Sequence, residues 1–401
     1  MSDLFWPGDQ RAADLMSDGA FLAAMVAVEQ AWLDGLVAAG IAPADARVDL
    51  SELRQDGDAE TIAVGADTDG TPVSGLVALL RRRAPDPAAR WLHRGLTSQD
   101  VVDTALMLGV REVLTRVGDE LAGQVRTLAT LAESHRGTTM LAHTLAQAAL
   151  PSTVGVKVAH WLSGVIEAAE PVAGLQASLP VQVGGAAGTL AAATELAGSV
   201  DGAIALSDAL AAALGLAPAP PWHTTRSTVT RIGDTLVTCC DAWGHIAADV
   251  ITGSRPEIGE LLEGEGGRSS TMPHKNNPMR SVLIRRAALA AGPLGATLHT
   301  AAATSVDERS DGAWHTEWAT LRTLARRTVV AASHTSELLT GLQVDAARAA
   351  ANLAAAEGVL SEQRTMTELT GRTATPGYTG AAEQLVDSAL QRARHYLKDT
   401  P

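Results

Sequence analysis

Apolar residues along the chain recur mostly at steps of three and four, the spacing of one face of an α-helix. Phe21, Met25, Val28, Trp32 and Leu36 form one such stripe. Leu114, Val117, Leu121, Val125, Leu128 and Leu131 form a second. Val229, Ile232, Leu236, Cys239, Trp243, Ile246 and Val250 form a third. Two further helical patterns cover roughly residues 279–302 and 316–341. Strand-like alternation is nearly absent. Residues 55–72, rich in Asp, Gly and Thr, read as a loop. Gly-rich stretches at 182–189 and 264–278 interrupt the helical run, and a turn is expected near Thr375-Pro376-Gly377. The pattern predicts an all-α protein. A helical segment, 1–105, precedes a central long-helix bundle, 106–341, and a shorter helical tail, 342–401.

Composition agrees with helix. The chain has 401 residues, is rich in Ala and Leu, and has only 3% aromatic residues. The segments 187–214 and 283–304 are Ala-rich with few charges. Helices apolar nearly all round are buried on every side, so burial between subunits, and hence a homo-oligomer, is expected. No apolar run looks long enough for a membrane span, and MSDLFWPGDQ lacks the basic and apolar regions of a signal peptide. The adjacent cysteines Cys239 and Cys240 suit small apolar helix positions better than a disulfide framework. A cytoplasmic, reduced setting is expected.

The formal charge of −14 and the lack of a basic stripe disfavour nucleic acid as a partner. An anionic substrate would have to be held by local cations against a repulsive overall field. No pair of His or Cys residues shows zinc-ligand spacing.

The stretch GEGGRSSTMPHKNNP, residues 264–278, concentrates glycine, proline and polar groups between two helical patterns. Such loops on rigid scaffolds commonly carry chemistry. Lys275 and Asn277 can donate to a carboxylate or an enolate-like oxygen, and a serine here needs activation by neighbouring donors. Thr97 and Ser98, in HRGLTSQDVVDT, can cap a helix and present N–H groups to an anion.

SSTMPHKNNP resembles the signature of the fumarase/aspartase superfamily. The resemblance implies helical homotetramers with shared active sites, acting on small polycarboxylates without metal or organic cofactor. It places Ser269 as the catalytic serine and Lys275 and Asn277 at the positions that stabilise substrate carboxylate and intermediate. Ser270, Met272 and His274 share that loop, in which Arg268 replaces the usual glycine. Thr97, Ser98, Gln99 and Asp100 match the family's first substrate-binding region, and Gln182 with GGAAGT resembles its second.

Three further pieces, LFWPGDQRAADLMSD, PWHTTR at 221–226 and ERSDGAWHTEW at 308–318, resemble the 3-carboxy-cis,cis-muconate cycloisomerase family. In that family a substrate carboxylate adds across a double bond within one molecule to give a lactone. Arg226 and Arg309 are candidate cations for the substrate carboxylates, Trp222 and Trp314 candidate pocket walls, His223 and His315 candidate carboxylate contacts, and Gln147 a candidate hydrogen-bond partner. Arg268 and Arg280 are further candidate cations, and Trp318 a candidate pocket wall. HTLAQAALP, residues 143–151, departs from the family pattern, with His143 in place of an arginine and Ala148 in place of a histidine. Asn276 replaces a residue that is commonly charged, and the tail after Glu362 is shorter than usual. An adenylosuccinate lyase-like enzyme and a non-catalytic relative are the alternatives.

Overall fold

A computed structural model describes residues 3–264, 266–268, 271–272 and 275–399, apart from the side chains of Arg268 and Asp399. Among these the chain is all-α with short two-stranded pieces. The N-terminal elements are α1 (Asp18–Ala38), α2 (Asp58–Asp69), α3 (Pro72–Arg83) and α4 (Asp86–Trp91). The helix α5 (Ser98–Ser134) leads to the hairpin β1 (Thr139–Thr144) and β2 (Gln147–Thr153). Then come α6 (Val154–Ala177), α7 (Ala191–Ala197), α8 (Val200–Leu214) and α9 (Ser227–Gly253). Strands β3 (Leu261–Leu262), β4 (Gly267–Arg268) and β5 (Asn276–Asn277) precede α10 (Met279–Ala303) and α11 (Gly312–Gly341). The tail holds β6 (Gln343–Val344), α12 (Ala346–Ala355), α13 (Ser361–Thr370) and α14 (Ala382–Asp399).

The helical stripes mark buried faces. Met25, Val28, Trp32 and Leu36 of α1 are buried, while Phe21 is half-buried. Leu114, Val117, Leu121, Val125 and Leu128 of α5 are fully buried, as are the seven apolar positions read along α9. Local signals set the ends. Ser17 Oγ accepts from Ala20 N at 3.1 Å to start α1. Thr71, with Pro72 after it, starts α3. By length and hydropathy α1 could cross a membrane, contrary to the expectation that no apolar run is long enough. Its apolarity is matched by packing, and its buried Glu29 meets His93 at 2.6 Å.

Two compact units each draw on three stretches of chain, rather than on consecutive segments. The first comprises Met1–Arg116, Ala173–Asp234 and Pro293–Arg327. Within it α1 packs on α8, and α2 on α3. The second comprises Val117–Val172, Thr235–Gly292 and Thr328–Pro401. Within it β1 packs on α12, and β3 pairs antiparallel with β6. Gln124 crosslinks its core, accepting from Trp243 Nε1 at 2.7 Å and donating to Ala332 O at 3.0 Å. Cys239 and Cys240 are buried and free, and burial pushes both thiols far up from their ordinary pKa.

Three sequence expectations need correction. Residues 55–72 are not a loop but mostly α2. Asp58, in its first turn, is gripped bidentately by Arg83 of α3 at 2.7 and 2.8 Å, and Ile62 is buried. Those contacts override weak local propensity. The stretch 187–214 is two helices, broken at Gly198, whose φ of 72° is left-handed, and restarted by the Ser199 cap. Residues 139–153 form a β-hairpin, the clearest departure from an all-helical reading. Its tip residues Leu145 and Ala146 both have positive φ, at 50° and 63°. Cross-strand pairing therefore fixes a turn that neither residue favours.

Candidate active site

The start of α5 holds a buried polar cluster inside the first unit. Thr97 is the cap, and Asp100, three residues on, turns back to accept from Thr97 N at 2.9 Å. This is the return half of a capping box. The same carboxylate also accepts from Gly184 N at 2.9 Å, Gly185 N at 3.0 Å and Gln182 Nε2 at 3.2 Å. Asp100 is fully buried, and these donors offset the cost of burying its charge. It thereby ties the GGAAGT loop to the helix N-terminus.

His223 is the fifth partner, with Nε2 3.1 Å from Asp100 Oδ1. A carboxylate oxygen accepts, so Nε2 is the donor in this contact. Nδ1 is buried and meets no partner among the described residues. The imidazole packs against the loop glycines. A Cβ on Gly184 would lie 2.6 Å from His223 Cε1, so a side chain there has no room.

One turn along α5, Asp103 anchors a charged network. Arg226 donates to Asp103 at 2.7 and 3.1 Å, and to Glu317 at distances from 2.5 to 3.1 Å. Trp314 Nε1 donates to Asp103 Oδ1 at 2.9 Å. Burial alone would lower the Arg226 pKa, but Asp103 and Glu317 more than offset it and raise it. Burial raises the Glu317 pKa, and the hydrogen bond from Arg226 counters only part of that.

This geometry corrects several sequence readings. Arg226 is no spare cation for a substrate carboxylate, because it is fully buried and saturated by two carboxylates. Trp222 and Trp314 spend their indole N–H groups on Val181 O and Asp103. Gln99, fully buried, donates to His223 O and Asp103. Its Oε1 meets no partner among the described residues. His315 is exposed at its ring and lies 2.8 Å from Gly70 O, holding the α2–α3 turn. Arg309 hydrogen-bonds Thr97 Oγ1 through Nη2, while its Nε is buried without a partner among the described residues. Ser98 is half-buried beside them as the first residue of α5. Thr97, Gln99, His223 and Arg309 thus come together with three unspent polar atoms: Gln99 Oε1, His223 Nδ1 and Arg309 Nε.

The remaining candidates lie in the second unit. Within the signature stretch β4 and β5 pair antiparallel, Gly267 with Asn277 and Arg268 with Asn276. Lys275 N donates to Met272 O at 3.0 Å. Lys275 is exposed, Asn277 half-buried and Met272 41% exposed. Side chains at Gly266 and Gly267 would overlap Asn276 and Met279 respectively, so close packing requires these glycines. Glu263 then starts α10, accepting from Ser281 N at 2.7 Å and Ser281 Oγ at 2.6 Å. Arg280 is not spare, since its Nε donates to Glu337 at 2.9 Å. Gln147 is exposed on β2, and His143 and Ala148 are cross-strand partners in that hairpin. Ser269, Ser270 and His274 lie outside the described residues.

Asp103 and Glu317 are not singled out by the sequence, whereas Asp100 and Gln182 stand out only through the two family-like regions. The available signal was a run of polar residues, Gln99, Asp100, Asp103 and Thr104, interrupting an otherwise apolar helix start.

A family profile described as a lyase matches residues 12–291. A nitrosuccinate lyase of Streptomyces davaonensis is 42% identical over 88% of this chain and 77% of its own. A 3-carboxy-cis,cis-muconate cycloisomerase of Bradyrhizobium diazoefficiens is 37% identical over 78% of this chain and 68% of its own. The crystal structure of 3-carboxy-cis,cis-muconate lactonizing enzyme from Pseudomonas putida superposes with a TM-score of 0.84, at 26% identity, over 96% of this chain and 97% of its own.

Proposed function

The chain belongs to the lyase family of the fumarase/aspartase superfamily, and from that premise we propose that it is a 3-carboxy-cis,cis-muconate cycloisomerase, working in the cytoplasm as a homotetramer. In the proposed reaction a substrate carboxylate oxygen bonds to an alkene carbon, and the neighbouring carbon gains a proton. No atoms are lost, and the product is a lactone. Lys275 and Asn277 donate to the carboxylate on which negative charge develops, and Ser269 delivers the proton. Thr97 and Arg309, in the first unit, are separate candidate donors to a carboxylate. The observation that carries this reading is the signature at 264–278, with Lys275 and Asn277 two positions apart in it. The cycloisomerase relatives support the choice of substrate.

A second reading is favoured by the 42% identity to a nitrosuccinate lyase. There a C–H and the neighbouring C–N bond of nitrosuccinate break, nitrite leaves with the electron pair, and fumarate remains. The same oxyanion donors serve both reactions, since both develop charge on a carboxylate next to the carbon that gains or loses the proton.

Purified protein given carboxymuconate, nitrosuccinate and adenylosuccinate in separate assays distinguishes these readings. Loss of diene absorbance with the first alone supports the cycloisomerase. Nitrite release from the second alone supports the elimination. Turnover of adenylosuccinate alone overturns both, and inactivity with all three points to a non-catalytic relative. With the active substrate, Ser269→Ala is expected to lower kcat far more than it changes substrate binding.

A further inference from the structure

Glu263 directly precedes the signature stretch, and Arg280 and Ser281 lie just beyond its end at Pro278. All three belong to the second unit. The Glu263 carboxylate accepts from Arg280 N at 3.1 Å, Ser281 N at 2.7 Å and Ser281 Oγ at 2.6 Å. One side chain thus joins the two ends of the stretch. Glu263 is buried and Ser281 fully so. Three converging donors at the N-terminal end of α10 offset the cost of burying the carboxylate. An ordinary N-cap is the residue next to its helix. Glu263 instead lies 17 and 18 positions from the N–H groups it caps.

Glu263 is itself held from both sides. Leu261 and Leu262 pair antiparallel with Val344 and Gln343. Gly264 lies against the end of α11, where a Cβ would come 2.7 Å from Gly341 O. The carboxylate therefore hangs the start of α10 from a fixed point. Further on, Gly267 of β4 pairs with Asn277 of β5. Met279, the first residue of α10, packs so closely on Gly267 that a Cβ there would overlap it. Only Pro278 separates Asn277 from α10. A shift in the start of α10 is thus passed to Asn277 and Lys275 through a short stretch of chain.

We propose, on the reading of Lys275 and Asn277 as oxyanion donors, that Glu263 is their positioning residue. Glu263 sets where α10 begins, and so where Asn277 and Lys275 present their donors. Preorganised donors stabilise developing charge only while they stay within a fraction of an ångström of their place. Glu263→Gln keeps the side-chain volume but aims an amide NH₂ at a group that can only donate, so at least one of the three bonds is lost.

A double-mutant cycle on kcat tests this, with whichever of carboxymuconate and nitrosuccinate the full chain turns over. It is run at a temperature where circular dichroism shows every variant folded. Glu263→Gln is expected to lower kcat about ten- to a hundredfold with KM little changed. Glu263→Asp, which keeps the carboxylate, should recover part of that loss. In an Asn277→Ala background, Glu263→Gln should lower kcat much less than it does in the wild type, because its effect passes through Asn277. A purely structural effect would multiply with that of Asn277→Ala instead. Should Glu263→Gln fail to fold, Ser281→Ala, which removes only the hydroxyl donor, takes its place in the cycle with a smaller expected loss. The proposal is overturned if the folded variant has wild-type kcat, or if the two effects multiply. In both cases an impaired Asn277→Ala leaves the oxyanion-donor reading standing. Wild-type kcat in Asn277→Ala, or inactivity with both substrates, overturns that reading and the positioning role with it.

Discussion

Asp100 and His223 meet at 3.1 Å, although 123 positions separate them in the chain, and both are buried. The same carboxylate binds four further donors, from Thr97, Gln182, Gly184 and Gly185. Removing it would leave five donors without an acceptor. Asp100→Ala is therefore expected to lower the unfolding free energy by about 3–5 kcal/mol in urea titration. The amides of Gly184 and Gly185 should lose hydrogen-exchange protection first. Unchanged protection there would contradict the anchoring role.

Arg226 lies between two carboxylates in the protein interior, so its loss leaves both uncompensated. Arg226→Ala is expected to cost about 3–5 kcal/mol. Glu317→Gln should cost less, since Arg226 keeps Asp103. The Glu317 pKa is raised above 4.5 in the folded state, mainly by burial. Its contribution to stability is therefore present below pH 4.5 and is lost as pH rises through the folded value. Denaturation of both proteins across the acidic range should show wild type losing ground to Glu317→Gln as pH increases. The opposite slope would mean that the ion pair outweighs desolvation.

Asp58 shows the reverse sign. The hydrogen bonds from Arg83 hold its carboxyl below the usual 3.8. Its stabilising contribution is present above pH 3.8 and is lost as pH falls through the lowered folded value. Asp58→Asn should destabilise by about 1.5–3 kcal/mol at neutral pH, with the difference shrinking in acid. Helix content from α2 is expected to fall with it. A difference independent of pH would show that the carboxylate charge is not what holds α2.

Cys239 and Cys240 sit on α9 with almost no exposed surface, and burial raises both thiol pKa values. Thiolate is the reactive form. An aromatic disulfide reagent is expected to label neither residue in the native protein and both after denaturation. Fast native labelling of either would contradict their burial.

Much of the architecture was legible because helical periodicity is a local property. The residues in the stripes on α1, α5 and α9 are buried, except Phe21 and Leu131, which are half-buried. The signature at 264–278 was legible for a similar reason, since its residue types and spacing suffice to identify it. The residues 55–72 misled because α2 has weak local signals and is held by Arg83 from α3 and by the burial of Ile62. The hairpin at 139–153 escaped notice because its alternation is poor and its turn residues lack the usual Gly or Asn.

By itself the sequence determined the helical class, the superfamily and the identity of Ser269, Lys275 and Asn277 as the candidates for chemistry. Tertiary structure alone decided which polar residues are already spent. Arg226 looked like a cation in search of an anion, yet Asp103 and Glu317, far apart along the chain, occupy it fully. Asp100 reads in the sequence as part of a substrate-binding region, yet the GGAAGT loop and His223 fold onto it. A charged group in the interior is stable only when its partners are close in space, and sequence spacing does not encode that distance.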